Sequence, residues 1–390
     1  MKDFVKYYTI TLVMEGPVFI ASGQSIGKKE YLFDAREKQV SIPDMPKLYR
    51  FLKNHRLLTA YETYMIEGRD DLLSWLRRQG ISAQQCAPWI AYSIDSGNAV
   101  FENRSKKEIA TFLKDAYGCP YIPGSSLKGA LRTVLLASEL VNQPQKFVQA
   151  QQGMRNMVRS GEPKSMIRKK ARVMFRKEAG ELEQRAFHTL GRNRERMADA
   201  VNDMLGGLQI GDSAPVSVKD LVLCQKIDVL HTGEQRQLPI LRECLKPGTE
   251  LQFPLRIDTR LCKITPEQIS KAATDFVRVY ESFLQHFPMD HILGGGNLYL
   301  GGGCGFLSKT VLYPLFFKSR NGFQTAVNKT SDILAAQFWN HKHDRDRVVG
   351  ISPRTVKCTK YHGELYEMGA CTMEITDFKK KKKICKFLSI

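Results

Sequence analysis

An α+β fold, with short sheets carrying helices on one face and the pattern present in both halves of the chain, follows from three observations. Short runs of β-branched, aromatic and aliphatic residues at Tyr7 to Val13, Leu221 to Val229 and Leu251 to Ile257 read as strands. Apolar residues recur at helical spacing from Leu127 to Leu135 and from Ile269 to Phe287. The order is strand, hairpin, helix, strand and helix in the first half, then strand, strand, helix and strand, which predicts two related modules. We place them at 1–205, with a helical basic insertion at about 143–205, and at 206–390, with a glycine-rich loop at 294–305 and a C-terminal hairpin.

The elements follow in order. Glu15, Gly16 and Pro17 break the opening strand before a second apolar run from Val18 to Ala21, and Tyr31 to Phe33 and Gln39 to Ile42 flank the charged turn from Asp34 to Lys38. Pro43 and Asp44 start a helix through about Asn54 with Leu48, Phe51 and Leu52 inward, and a further helical stretch runs from roughly Thr59 to Arg78. The polar segment from Ile94 to Phe112 carries no clear period. In CPYIPGSSLKGALRTVLLASEL, Cys119 to Leu140, a short strand meets Pro123 and Gly124, Ser125 and Ser126 supply a helix cap, and Leu127, Ala130, Leu131, Val134 and Leu135 mark the buried face. Farther on, Thr265 caps a helix, Pro266 suits its first position and Gln268 completes a capping box. Lys309 to Phe317 reads as a strand, and two alternating segments meet at His362 and Gly363 before the lysines at 379–383.

Lys and Arg number 59 against 40 Asp and Glu, a formal charge of +19, which points to nucleic acid or another anionic surface. No run approaches the ~18 apolar residues of a membrane span and the N-terminus lacks a signal-peptide block, so a cytoplasmic location and no membrane partner are expected. The nine cysteines show no paired metal-ligand spacing, so we expect free buried thiols and no metal or cofactor.

Seven glycines fall between Gly294 and Gly305, in two triplets, Gly294, Gly295, Gly296 and Gly301, Gly302, Gly303, with Lys309 downstream. Backbone stripped of side chains approaches a large ligand closely, and its N–H groups can cradle phosphates. Lys128 and Arg132, four residues apart, share one flank near a helix N-terminus whose dipole also favours an anion. From Lys146 to Lys177 there are ten Lys or Arg against Glu162 alone, the pattern of a solvated helix face, a second polyanion surface or a subunit contact.

Other motifs weigh less. GCGFLSKT, Gly303 to Thr310, has Ser308 where a phosphate-binding P-loop needs glycine, and a strand-like run where it needs a helix. His286 and His291 stand near the glycine loop without an obvious partner, and Asp34, Asp95 and Asp212 sit in turns, where Asp is common for conformational reasons.

IPGSSLKGALR (Ile122 to Arg132), GDSAP (Gly211 to Pro215), GGGNLYLGGGCGF followed by SKT, and SPRTVKCTKY (Ser352 to Tyr361) occur in the order expected of the RAMP proteins of CRISPR systems, which the chain resembles over nearly its whole length. With YEMG at Tyr366 to Gly369, it resembles more narrowly the fifth Csm proteins of type III-A complexes, the subunits that cap the 3′ end of the guide RNA (crRNA).

The resemblance implies two ferredoxin-like, RNA-recognition-motif-like domains with insertions, in a subunit that binds the 3′ portion of the crRNA without catalytic residues of its own. It implies the Csm backbone and small subunits as partners, target RNA by proximity, and an influence on host nucleases that trim the crRNA. Carried over by position, the RNA-contacting candidates are Gly124, Ser125, Ser126, Lys128 and Arg132, the six triplet glycines, and Arg354, Lys357 and Lys360, to which the loop reading adds Lys309. Since guide sequence varies, such a binder holds phosphates and 2′-hydroxyls and leaves base edges free. The rival readings are a metal-independent CRISPR repeat-RNA endonuclease and the target-RNA-cleaving backbone subunit.

Overall fold

A computed structural model describes residues 4–99, 107–156 and 177–378. The lysines at 379–383 and the centre of the basic insertion lie outside them.

The chain opens with β1 (Val5–Met14), whose inward positions Ile10, Leu12 and Met14 are buried. β2 (Ala21–Ile26) precedes the expected hairpin of β3 (Leu32–Asp34) and β4 (Gln39–Pro43), where Asp34 accepts the N–H groups of Arg36 and Glu37 in the turn. In α1 (Met45–Asn54), Asp44 caps by accepting from the Lys47 N–H. The single helix expected from Thr59 to Arg78 is two, α2 (Leu58–Glu67) and α3 (Leu72–Arg78), because the chain leaves the helix at Gly68 and Asp71 caps a new one. With α4 (Ala83–Cys86) they enclose a satellite core around Tyr64, Trp75 and Trp89. β5 (Ile90–Asp95) and β6 (Ile109–Phe112) fall at the edges of the segment that has no clear period.

α5 (Gly124–Asn142) buries Leu127, Leu131, Val134 and Leu135 as its spacing predicts, and the insertion after it begins with α6 (Val148–Asn156) and resumes with a helix over 177–187 (α7). Then come β7 (Leu208–Ile210), β8 (Leu221–Leu230), β9 (Gln235–Leu245) and β10 (Glu250–Asp258); β9 is a strand that the sequence does not announce, its alternation being masked by Pro239 and its polar start. α8 (Pro266–Leu284) has the expected Thr265–Gln268 capping box.

β11 (Ile292–Leu293) and β12 (Leu298–Tyr299) bracket the first glycine triplet. The strand expected from Lys309 to Phe317 is instead a 3₁₀ turn at Leu307–Lys309 and the short α9 (Leu312–Phe316), buried along its whole length, so that no polar position marks its period. α10 (Gly322–Gln337) and α11 (Asp346–Val349) lead to β13 (Thr355–Tyr361) and β14 (Glu364–Glu367), the expected C-terminal hairpin, after which β15 (Ala370–Asp377) crosses to the other sheet.

A five-stranded sheet has the order β12-β15-β1-β10-β7, each neighbouring pair antiparallel. Followed along the chain, β1, α5, β7, β10, α8 and β15 give β-α-β-β-α-β with spatial order fourth, first, third, second, which is ferredoxin-like. α5 and α8 pack together; Ser138 and Asn142 of α5 donate to Asp275 of α8 at 2.8 and 2.7 Å. The ten-stranded second sheet is built from the segments inserted between these elements, with path β11-β14-β13-β8-β5-β4-β3 and with β9, β6 and β2 off it.

Because β1 lies between β10 and β15, the expected boundary at 205/206 is crossed by continuous hydrogen bonding, and one hydrophobic core runs through both parts. All eight cysteines among the described residues are free, and seven are buried.

Candidate nucleic-acid interface

The start of α5 is a joint between two sequence motifs. The Gly124 N–H donates to Asp212 Oδ1 at 2.8 Å, the Ile122 N–H donates to Ser213 Oγ at 2.9 Å, and the Ser213 N–H returns to the Ile122 carbonyl at 3.0 Å. A Cβ on Gly124 would lie 2.2 Å from the Ile210 carbonyl oxygen, so glycine is needed for the close approach. The expected serine cap is not made: Pro123 occupies the cap position without a side-chain bond, and Ser125 and Ser126 fall in the first turn. Asp212 therefore places the chain's own carboxylate at the positive end of the helix, where a phosphate was expected.

Lys128 and Arg132 share one flank, as their spacing requires, and the chain covers that flank. Lys128 Nζ donates to the Leu205 carbonyl at 2.8 Å, and burial lowers its pKa. Arg132 pairs with Asp203 at 2.6 Å and Glu183 at 2.7 Å, and its guanidinium lies 4.9 Å from the centre of the Phe187 ring. Both cations fasten the insertion to α5.

The glycine loop is moulded on protein. The Gly302 N–H donates to the Phe19 carbonyl, and Asn297 and Leu300 donate to Cys371 and Gly369. Cβ atoms on Gly296 and Gly301, at φ of 90° and 88°, would lie 2.2 and 2.3 Å from the Cys371 and Phe19 carbonyl oxygens. Gly294, Gly295 and Gly296 border a pocket of about 550 Å³ whose described lining holds Glu281, Asp290 and Glu367 and no Lys or Arg. Glu367, buried, accepts from Tyr280 at 2.6 Å and Tyr299 at 2.8 Å, and burial raises its pKa. Among the described lining residues, the charged groups that an anion would meet there are carboxylates.

The second triplet leads to a surface of opposite sign. A Cβ on Gly305 would lie 3.2 Å from Lys357 Cγ, and Phe306 lines a cleft of about 830 Å³. Alternation builds its floor: Lys226, Asp228 and Leu230 of β8, Arg236 and Leu238 of β9 and Thr355 and Lys357 of β13 point one way, while Ile227, Val229 and Val356 enter the core. The pairing sets Lys357 and Arg236 on either side of Asp228 in one row. The opposite wall is the segment after α10, with Phe338, His341, Lys342, His343 and Arg345.

Arg354 secures that wall, pairing with the buried Asp346 at 2.6 Å and donating to the His341 carbonyl at 3.3 Å. Among the described residues, six Lys or Arg side chains thus line the cleft with a single carboxylate, beside two phenylalanine rings. Phosphates suit the cations, and Phe338, 47% exposed and stacked on His341 at 5.5 Å, presents a face for a base.

A family model described as the RAMP superfamily matches residues 11–308. The chain belongs to that superfamily. Among curated proteins it is similar to the CRISPR system Cms protein Csm5 of Mycobacterium tuberculosis (strain ATCC 25618 / H37Rv), 29% identical over 404 residues that cover 96% of this chain and 99% of that protein. It is similar also to the protein of the same name from Streptococcus thermophilus, 26% identical over 401 residues, covering 97% and 100%.

Two solved structures share its fold. A chain of a cryo-EM Csm-crRNA-target RNA ternary complex of a type III-A CRISPR-Cas system aligns with a TM-score of 0.61 at 18% identity, covering 94% of this chain and 100% of that one. The crystal structure of T. onnurineus Csm5 aligns at 0.57 and 17%, covering 94% and 99%.

Of the RAMP motif residues, the cleft gathers Arg354 and Lys357, with Gly305, two residues past the second triplet, packed on Lys357; Gly301 and Gly302 pack on Phe19. Lys360, three residues beyond Lys357 on the same strand, faces the opposite side of the sheet; Lys309 and Ser125 are exposed outside the cleft's described lining. Sequence reasoning missed Lys226, Asp228, Arg236, Phe338, Lys342 and Arg345. The signal for the first two was present, since Lys226 and Asp228 alternate with Ile227 and Val229 in a run that reads as a strand.

Asp34 and Asp95 each accept a backbone N–H in a turn, whereas Asp212 accepts that of the distant Gly124, and His286 stacks on Phe323 at 4.6 Å. No helix among the described residues is long and apolar enough to cross a membrane.

Proposed function

We propose that this RAMP chain is a non-catalytic RNA-binding subunit of a type III-A CRISPR-Csm effector complex, that it caps the 3′ end of the crRNA, and that it docks on the terminal backbone subunit. The observation that carries the reading is the cationic cleft on a chain similar end to end to proteins named Csm5. Lys226, Arg236 and Lys357 would hold phosphates whatever the guide sequence, and Phe338 would stack on a base of any identity. The exposed Ser125 hydroxyl and Lys309 ammonium are candidates for phosphates outside the cleft.

Capping would protect the guide and define its end, leave target RNA close by, bring the small subunits into the same assembly, and set where host nucleases stop trimming. The chain, tagged and recovered from its host, is expected to carry Csm subunits and short CRISPR-derived RNAs, with one copy per complex. Recovery without CRISPR RNA, or with several copies per complex, would contradict the reading.

One observation favours the endonuclease reading. His343 Nδ1 lies 3.0 Å from the buried Asp346 carboxylate, the arrangement that orients an imidazole as a general base, and the His341 ring is 5.9 Å away in the same cleft. Cleavage of repeat RNA by the purified chain in EDTA, abolished by His343→Ala, would decide for it.

A further inference from the structure

We propose that Asp228 makes the cleft selective for ribose by accepting a hydrogen bond from a 2′-hydroxyl of a single strand whose phosphates lie on Lys226, Arg236 and Lys357. This rests on reading the cleft as the RNA site, and names the sugar that the site selects.

Asp228 is the one carboxylate among the described lining residues, against six Lys or Arg. In a groove built for phosphates alone, a carboxylate repels the ligand and neutralises the cations that attract it. Its two oxygens differ. Oδ2 accepts from Lys357 Nζ at 2.8 Å, whereas Oδ1 is covered, makes no hydrogen bond and has Lys226 Nζ 3.9 Å away. A covered carboxylate oxygen without a donor is costly, which leaves it ready for one.

Lys226 is the cation beside Oδ1, beyond hydrogen-bond distance. Burial first, and the charges of Lys357 and Arg242, destabilise its ammonium against the favourable charge of Asp228 3.9 Å away, and a phosphate entering the cleft would compete with Asp228 for it. Drawn to a phosphate, it leaves Oδ1 to a neutral donor. In a single strand, the donor found beside every phosphate whatever the sequence is the ribose 2′-hydroxyl, which DNA lacks.

The test is the affinity of the full-length chain for RNA and DNA oligonucleotides of one sequence, with wild type and Asp228→Ala compared. The account expects wild type to prefer RNA by about tenfold, the effect of one hydrogen bond to a charged group. Asp228→Ala should bring the ratio close to one, with DNA binding held or raised as Lys226 and Lys357 are released. If the carboxylate merely neutralises the cations, both affinities rise together and the ratio stays; that outcome, or equal binding by wild type, overturns the proposal. RNA binding that does not depend on Lys226 and Arg236 would fail the reading of the cleft itself.

Should Asp228→Ala fold poorly, a scan of single 2′-deoxy substitutions in the RNA against wild type replaces it. One position costing about tenfold supports the proposal, and a uniformly small effect overturns it.

Discussion

Lys357 of β13 and Asp228 of β8 pair at 2.8 Å directly across an antiparallel register, with Arg236 of β9 in the same row. The pair fixes the centre of the cleft floor and leaves Lys226 and Arg236 to meet a ligand on either side. Replacing those two with Ala keeps the pair intact. Single-stranded RNA affinity should fall equally for all sequences, and the slope of log affinity against log salt should flatten by roughly 1.4, about 0.7 for each phosphate no longer neutralised. Fluorescence anisotropy across a salt series measures both, and an unchanged slope would remove these residues from the site.

The cations of α5 should behave differently. Arg132→Ala leaves Asp203 and Glu183 without their partner at a half-buried joint, and a loss of about 1–2 kcal/mol in denaturant unfolding is expected. RNA affinity per folded molecule should be unchanged. A variant of full stability that binds RNA less well would return α5 to the RNA site.

How much of this is legible in the sequence depends on the range over which each signal acts. The Thr265–Gln268 box with Pro266 is local, and α8 lies where it predicts. The apolar run from Val311 to Phe317 offers no polar position to show a period, and it reads as a strand although the chain there is helical. The halves look like separate modules because strand order is invisible in sequence; the pairing of β1 with β10 and β15 joins residues some 240 and 360 positions apart.

The site follows the same rule. Local clustering points to Lys128 and Arg132, whose partners lie far along the chain, whereas the cleft takes one or two cations from each of several distant segments. Nothing local marks it except the Lys226–Asp228 alternation.

The glycine loop gives a graded prediction. Gly295→Ala, at φ of 99° with nothing within 4 Å of the new Cβ, should cost about 1–2 kcal/mol for the left-handed backbone alone. Gly301→Ala also brings its Cβ to 2.3 Å from the Phe19 carbonyl oxygen and should cost clearly more, visible as a lower melting temperature. The reverse order would show that the loop is shaped by something other than its fit to the chain.

Glu367 sets a pH dependence. Burial raises its folded-state pKa above the unfolded value, so its contribution to stability is full below the unfolded pKa and is lost as pH rises through the folded one. Glu367→Gln keeps an acceptor for the tyrosines and removes the charge. The variant should therefore gain on wild type as pH rises from acid towards neutral, with a flatter stability profile. Parallel profiles would mean that Glu367 is ionised with equal ease in both states.

The most direct measurement is photo-crosslinking in the assembled complex. With 4-thiouridine placed along the 3′ portion of the crRNA, irradiation followed by peptide mass spectrometry should join the guide to peptides carrying Phe306 and Phe338 to His343. Crosslinks confined to the start of α5 or to the first glycine triplet, with none in the cleft, would contradict the account.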